Sequence, residues 1–269
     1  PTRALSRNAN PAGWSYDPNG NETAGLGGTT RTNETYSGSD QLTAMTDSAT
    51  PTAFSYAGLS NTERITSGST SFQSGEEGLA NQSTGGATTA FTRDPSGTLI
   101  TERVGSQSYY YLFDGLGSVV SLVNATSTKV NSYTCDPYGQ ARTTTEAVAN
   151  PNRFTGGYLD SSSGLYHFGV RYYDPSLGRW TELVPTGQNP RYTYASDDPA
   201  IFTNASGASI RVYFPPAVGG IIAGVLIAGG SISDAINAID GPGYLFRSCP
   251  CGCSRQAHQA TGNLLSSLL

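Results

Sequence analysis

Three cysteines and one histidine near the end of the chain are residue types that could bind a metal ion. Cys249, Cys251 and Cys253 are each separated by a single residue, and His258 follows. Thiolate and imidazole groups are zinc ligands, but paired cysteines in structural zinc sites are usually roughly two to four residues apart. The spacing therefore favours disulfides or free thiols over a metal site, and we expect no cofactor.

Two adjacent carboxylates, Asp197 and Asp198, come nearest to an acid–base pair. In a strand neighbouring side chains point to opposite faces, so we expect these two not to share a proton. The chain has only two histidines, and His167 follows Tyr166 in an aromatic stretch, where we expect it to be a packed neighbour. No nuclease or deaminase pattern is visible, so we predict that the chain is not an enzyme. This prediction leaves open whether the tail has an activity.

Composition restricts the elements that could position such residues. The chain has 269 residues with 33 Gly, 15 Pro and 16 Tyr, and only 13% are charged. Long surface helices need more Ala, Leu, Glu and Lys than this, whereas Thr and aromatic residues between Gly and Asp turns favour short strands. The net charge of −5 and the absence of a basic run argue against a nucleic-acid partner.

Aromatic residues followed by a turn recur along the first half of the chain. Tyr16, Tyr36 and Tyr56 lie 20 residues apart, and later units contain Asp-Pro-x-Gly or Asp-Gly turns. Each unit predicts a strand, a turn and a strand, which must stack on its neighbours to be stable. We expect the tyrosines to form a ladder on one sheet face, with hydroxyls reaching water or a partner. The alternative is a generic β-sandwich.

Residues 151–180 contain a dense aromatic motif. Its pieces are Arg153, Phe154, Tyr158, Arg171, Tyr172, Tyr173, Asp174, Pro175, Gly178, Arg179 and Trp180. This pattern resembles the RHS repeat-associated core of the RHS/YD-repeat proteins, and residues 109–139 resemble the stretch just before that core. We favour a structural role for these residues, with Arg171 either stacked on one of the two aromatics that it precedes, Tyr172 and Tyr173, or paired with Asp174.

The resemblance implies an all-β fold of stacked YD-repeat hairpins that form part of a β-sheet spiral shell. It divides the chain into YD-type repeats at 1–150, a core or plug segment at 151–207 and a variable tail at 208–269. In that family the shell encloses its C-terminal segment, which is often a toxin. The chain starts at Pro1, so we expect a fragment or processed product. Its partners would be the remaining N-terminal shell or further copies of the chain.

Many proteins of this family cut themselves after the core, using an aspartate in each of two Asp-Pro-x-Gly motifs. The matching positions here are Val184 and Asn204, neither of which is a carboxylate. The self-cleavage motif is therefore degenerate, and we predict no cleavage between Gly207 and Ala208 by that mechanism.

The tail changes composition after Gly207. Residues 217–230 are apolar or Gly, which is shorter than the roughly 20 residues of a spanning helix, and Asp234 interrupts the extended stretch 217–239. We expect a partly helical or irregular tail in which this stretch is buried or interfacial; membrane insertion is the alternative.

The leading functional hypothesis is a secreted or cell-surface shell module, of bacterial toxin-delivery type, that encloses or presents its C-terminal segment, with a secretion apparatus as a further partner. The alternatives are an extracellular adhesion or carbohydrate-binding surface and a membrane-active toxin in the tail.

Overall fold

The structure is a computed structural model that describes residues 14–25, 31–57, 63–183, 191–200 and 202–208, and the backbone of 211–212. Within these ranges the chain is almost entirely β-structure and contains no α-helix, which confirms the predicted all-β fold. No helix in the described part of the chain has the length and apolarity to cross a membrane. The predicted helical or irregular tail, including 217–239, lies outside the described residues.

The first hairpin shows the turn that the sequence predicts. Strands β1 (Ser15–Tyr16) and β2 (Glu22–Ala24) flank Asp17 and Gly20. The Asp17 carboxylate accepts the Asn21 backbone N–H at 2.8 Å, and Gly20 has φ +88°, which disfavours any residue with a Cβ. The same Asp side-chain to backbone contact recurs at the turns that begin at Asp94, Asp114 and Asp136.

Twelve strands in the described residues form one antiparallel sheet, here called the large sheet, in which strand order follows the chain. The strands are β3 Arg31–Tyr36, β4 Leu42–Asp47, β5 Thr50–Ala57, β6 Glu63–Ser67, β7 Thr70–Gly75, β8 Gly78–Thr84, β9 Ala87–Arg93, β10 Leu99–Val104, β11 Gln107–Phe113, β12 Val119–Asn124, β13 Lys129–Cys135 and β14 Ala141–Glu146.

Two kinds of turn explain the repeat of about twenty residues. Longer Asp turns such as 94–98 alternate with two-residue turns such as Gly85-Gly86, where both glycines have positive φ. Positive φ at both central residues matches the twist of a hairpin, which is why these short turns use Gly. One repeat is therefore two strands plus one turn of each kind.

One face of the large sheet, the inner face, is buried. Phe72, Phe91, Tyr111 and Leu122 lie on it and are each 6% exposed or less. Of the two predicted outcomes for the tyrosine hydroxyls, water or a partner, the hydroxyls of this face have partners, and these lie inside the chain. The Tyr111 hydroxyl donates to Glu102 at 2.7 Å, and the Tyr56 hydroxyl donates to the Leu42 carbonyl at 2.8 Å.

The segment that covers the inner face is residues 150–207, here called the core segment. It contains a four-stranded antiparallel sheet in sequential order, two 3₁₀ turns and a further short strand that pairs with residues just after the segment. The four strands of the sheet are β15 Tyr158–Asp160, β16 Leu165–Phe168, β17 Arg171–Asp174 and β18 Arg179–Trp180, and the 3₁₀ turns are Phe154–Gly156 and Tyr194–Asp197. The further strand is β19 Phe202–Thr203, which pairs with β20 Arg211–Val212 beyond the segment. Since β14 ends at Glu146, the predicted boundary at 150/151 falls between the two sheets and stays a prediction.

The core segment is held together by aromatic rings. Phe154, Phe168, Tyr173, Trp180 and Tyr194 are each buried and pack on one another, with the rings of Tyr173 and Tyr194 4.7 Å apart. Burying each such side chain contributes roughly 1.5–3 kcal/mol, and tilted ring pairs add somewhat to this. The segment needs this cluster because its strands are too short to be stable as a sheet alone.

Candidate functional site: the interface between the large sheet and the core segment

Two arginines from repeat strands enter the interface at its two ends. Arg31 of β3 contacts Asp174 of β17 at 2.8 Å, Glu22 at 3.0 Å and Glu34 at 3.1 Å, and all four side chains are buried. A buried charge is tolerated only when it is paired and hydrogen-bonded. Asp174 therefore fixes the position of β17 over the first repeats.

The second arginine, Arg64 of β6, pairs with Asp160 of β15 at 2.5 Å. Its guanidinium lies 4.4 Å from the ring centroid of Phe72 and 4.7 Å from that of Tyr158, and it also donates to the Tyr172 hydroxyl at 3.1 Å. A guanidinium that combines a carboxylate, a hydroxyl and two ring faces is held in one orientation. Arg64 thus joins β6 to two strands of the core segment, β15 and β17.

Carboxyl groups outnumber arginines in this interface. Burial, with the charge of Glu22 as a second cause, raises the pKa of Glu34 to about 8 despite its contact with Arg31. Burial also raises the pKa of Glu182 to about 8, although its carboxylate accepts the Tyr172 backbone N–H at 2.9 Å. The two groups are therefore mostly protonated at neutral pH, because the arginines cannot neutralise every carboxylate.

A third contact joins the middle repeats to the start of the core segment. The Tyr111 hydroxyl bridges Glu102, at 2.7 Å, and the Asn150 side-chain oxygen, at 3.2 Å. Burial raises the pKa of Glu102 to about 7. Nearby, the Val119 N–H donates to the Arg153 carbonyl at 2.9 Å, so the chain crosses the sheet at this point.

The predicted motif residues lie in this interface or in the aromatic cluster. Tyr158 contacts Phe72 edge-on, and Tyr172 contacts Phe54, each with ring centroids within 5.5 Å. Gly178 has φ +69° and lies against the ring of Tyr138.

Two further arginines of the predicted motif, Arg153 and Arg179, lie over aromatic rings. The Arg153 guanidinium is 4.8 Å from the Tyr133 ring and bridges to Glu146 at 3.0 Å. The Arg179 guanidinium is 5.1 Å from the Trp14 ring. Pro175 is buried in the turn after β17.

Arg171 contacts neither of its two expected partners. Its guanidinium stacks on the ring of Trp180 at 4.0 Å instead of on one of the tyrosines that follow it, and Asp174 pairs with Arg31. Adjacent strand residues point to opposite faces, and residues 171 and 174 are an odd number of positions apart, so they cannot share a face of β17. Arg171 instead donates to the Gly207 carbonyl.

The remaining predicted site residues form no chemical centre. Asn204 is buried, and its backbone carbonyl accepts the Gly207 N–H at 3.2 Å, while Val184 lies outside the described residues. Asp197 lies in a 3₁₀ turn with φ +68°, so the premise that it lies in a strand was wrong. His167 packs at 4.9 Å from the Tyr172 ring. Cys249, Cys251, Cys253 and His258 also lie outside the described residues.

No group of three or more metal-ligating side chains occurs within the described ranges. Sequence reasoning missed the interface residues Arg31, Arg64, Glu102 and Glu182. Alternation along β3 could not have identified its two buried positions, Arg31 and Glu34, because they are three residues apart and share a face only through the register shift between Thr32 and Thr35.

Comparison with known proteins supports the resemblance seen in the sequence. A sequence profile described as Teneurin YD-shell matches residues 80–199. The match confirms the RHS/YD-repeat resemblance over these residues.

Individual relatives are similar over part of the chain. Toxin protein Tse5 of Pseudomonas aeruginosa is 41% identical over 66 residues, which are 23% of this chain and 5% of that protein. Salivary gland surface protein 1 of Aedes aegypti is 31% identical over 155 residues, which are 55% of this chain and 4% of that protein.

A solved structure, the Photorhabdus luminescens Tc holotoxin pore, has the same fold with a TM-score of 0.56 and 15% identity, over 74% of this chain and 11% of that chain. The chain spans 6% or less of the length of the curated relatives that it matches.

Proposed function

We propose that this chain is a wall module of an RHS-type shell that encloses or presents its own C-terminal segment, in the manner of a toxin carrier. The observation that carries the proposal is the docking of the core segment on the inner face of the large sheet. Arg31–Asp174 and Arg64–Asp160 join segments that are 143 and 96 residues apart in the chain. A wall with one face sealed by its own downstream segment separates an inside from an outside.

The geometry of the large sheet supports a wall rather than a self-contained domain. Its strands pair only with their neighbours in the chain, so further repeats can continue it at either edge. Edge strand β14 is exposed at all six residues. An exposed edge favours pairing with another strand, so we expect the rest of a shell, or further copies of this chain, to cover it.

Electron microscopy of the purified protein tests the proposal. We expect closed particles with a hollow interior, formed by this chain with the rest of its shell or with other copies of itself. A compact solid particle, or an open filament of stacked sheets, would contradict enclosure.

A protease-protection assay tests the position of the C-terminal segment in the same particles. If it is enclosed, residues 209–269 survive a protease dose that digests an unfolded control, and they become sensitive once the particle is opened with mild denaturant. Immediate digestion of these residues on intact particles would show that they lie outside the shell.

A surface-adhesion role is a second candidate, favoured by the similarity to a protein named as a salivary gland surface protein. The outer face of the large sheet offers a hydroxyl pair across neighbouring strands at Thr35–Thr43. Exposed tyrosines are scarce within the described residues, where Tyr16 is the most exposed at 37%. A glycan-binding screen comparing the natural chain with Tyr16→Ala distinguishes this role, since binding that depends on Tyr16 would support it.

We further propose that the chain has no enzymatic activity in its described part, that it is exported to the cell surface or medium by a secretion apparatus, and that any membrane activity resides in the tail. Expression of residues 208–269 alone in bacterial cells tests the last point, because a membrane-active tail would halt growth and an inert one would not.

A further inference from the structure

Glu102 is a fully buried carboxyl group with one unpartnered oxygen. It lies in β10 directly opposite Phe91 of the inner face, and its Oε1 atom has no hydrogen-bond partner. No arginine, lysine or histidine in the described part of the chain lies within salt-bridge distance of it. An ionised carboxylate at this position loses its hydration without gaining a counter-ion, so burial favours the neutral acid.

The other oxygen of Glu102 contacts a tyrosine hydroxyl that has more acceptors than hydrogens. The Tyr111 hydroxyl lies 2.7 Å from Glu102 Oε2 and 3.2 Å from Asn150 Oδ1, and it accepts from Asn152 Nδ2 at 3.4 Å. A hydroxyl has a single hydrogen, so it cannot donate to both acceptors. When Glu102 is ionised, the hydrogen points to Glu102. When Glu102 carries a proton, it donates that proton to the hydroxyl, and the Tyr111 hydrogen points to Asn150.

The orientation of the Asn150 side chain is fixed by the main chain. Its Nδ2 donates to the Asn152 carbonyl at 2.8 Å, and its Oδ1 accepts the Asn152 N–H at 3.0 Å. The Asn150 atom that faces Tyr111 is therefore an oxygen, which can only accept. Asn150 belongs to residues 147–153, here called the linker, which lead from β14 into the core segment. A hydrogen bond from Tyr111 to Asn150 thus ties the linker to β11 of the large sheet.

The charged groups around this contact leave Tyr111 protonated while Glu102 changes charge. Burial raises the pKa of Tyr111 well above its ordinary value, helped by the charge of Glu102 and opposed by that of Arg93 in β9. Burial raises the pKa of Glu102 to about 7, opposed by the Tyr111 hydrogen bond and helped by the charge of Glu146 at the end of β14. The remaining cation, Arg153, contacts Glu146 at 3.0 Å.

We propose that Glu102 and Tyr111 form a proton-controlled latch, which holds the linker while Glu102 is protonated and releases it when Glu102 ionises. On ionisation the proton of Glu102 passes to water, the Tyr111 hydrogen turns to Glu102, and the contact with Asn150 is lost. Opening of the linker then lets water reach the buried carboxylate. The latch goes beyond the proposed function and does not rest on it, because all of its groups belong to one chain.

Hydrogen exchange of the full chain, followed by mass spectrometry, tests the latch. Between about pH 6 and about pH 8.5, a rise in the Glu102 pKa from 4.5 to about 7 makes opening of the linker about tenfold more favourable. Amides of residues 147–153 should therefore exchange about tenfold faster at the higher pH, after correction for the intrinsic rate. We expect Glu102→Gln to remove this increase, because the glutamine amide donates to the Tyr111 hydroxyl at every pH.

The matched control is Glu76→Gln, which makes the same chemical change at an exposed position between β7 and β8 and should keep the pH dependence of the natural chain. Tyr111→Phe supplies an independent variant. It removes the hydroxyl that couples Glu102 to Asn150, so its linker should exchange fast at both pH values.

Two results would overturn the latch. One is a linker in Glu102→Gln that responds to pH as in Glu76→Gln, and the other is a linker in Tyr111→Phe that exchanges as slowly as in the natural chain. If Glu102→Gln does not fold, Tyr111→Phe decides by the same comparison.

Discussion

At the scale of single residues, the interface depends on a few buried charges placed where an alternating strand would normally carry apolar side chains. Arg64 contacts Asp160, the Tyr172 hydroxyl and two aromatic rings, so one side chain connects a repeat strand to the core segment. Such a contact adds positional specificity more than stability, because desolvation offsets much of the ionic attraction.

Removing one partner of that pair should be strongly destabilising. We expect Arg64→Met to lower the free energy of unfolding by about 3–5 kcal/mol, because Asp160 would be left as an uncompensated buried charge. Urea denaturation measures the change. Arg142→Met at an exposed site is the control. A loss of stability no larger than that of the control would show that Arg64 does not stabilise the buried Asp160 carboxylate.

Glycine positions allow a second test with a built-in comparison. Gly139 has φ +85°, and a Cβ there would lie 2.5 Å from the Phe154 ring, whereas Gly105 has φ +59° with nothing within 4 Å. Gly105→Ala should lower the free energy of unfolding by about 1–2 kcal/mol through backbone strain alone. Gly139→Ala should lower it by about 1–3 kcal/mol more, because the Phe154 ring must also move.

Thermal melting of the two glycine variants gives the comparison. Equal melting temperatures would show that the contact between the Asp136 turn and Phe154 does not restrain the core segment.

At the scale of elements, docking of the core segment on β3 should depend on pH. Glu34 faces Glu22, Arg31, Asp174 and Glu182, and burial raises its pKa from the ordinary 4.5 to about 8. Between these values the folded chain binds a proton that the unfolded chain has released. The contribution of Glu34 to the free energy of unfolding is therefore fully present below about pH 4.5 and is lost as pH rises through about 8.

Chemical denaturation at several pH values between 5 and 9 measures this dependence. We expect Glu34→Gln and Glu182→Gln each to flatten the fall in stability toward high pH, since glutamine keeps the shape of the protonated acid without titrating. Glu63→Gln, on the neighbouring exposed end of β6, is the control. A pH profile that is unchanged in both interface variants would contradict protonation of these groups.

At the scale of the whole molecule, a sequential antiparallel sheet sealed on one face is a wall, and its function depends on what it separates. The degenerate positions Val184 and Asn204 argue that this wall keeps its C-terminal segment covalently attached. Neither side chain can serve as the carboxylate of an acid–base pair.

Intact-mass measurement after prolonged incubation tests this attachment. We expect one species at the full-length mass, identical to a sample denatured immediately after purification. A product that ends at Gly207 would show that the chain cuts itself by another route.

The sequence by itself determined the repeating hairpins and their turns. Asp and Gly at regular spacing act through local backbone geometry, so residues such as Asp17 and Gly20 reveal their conformation without knowledge of the rest of the molecule. The aromatic motif that begins at Arg153 likewise revealed the RHS/YD-repeat resemblance, because its residues occur in a fixed order along the chain.

Only the tertiary structure decided which distant groups meet. The pairing of Arg31 with Asp174, and of Arg171 with the Gly207 carbonyl, depends on how the core segment lies across the inner face of the large sheet. The sequence left open whether the tyrosine hydroxyls meet water or a partner, and the fold decided this, because a segment many residues later in the chain covers that sheet face. Local preferences act over a few neighbouring residues, whereas burial depends on long-range packing that no local pattern encodes.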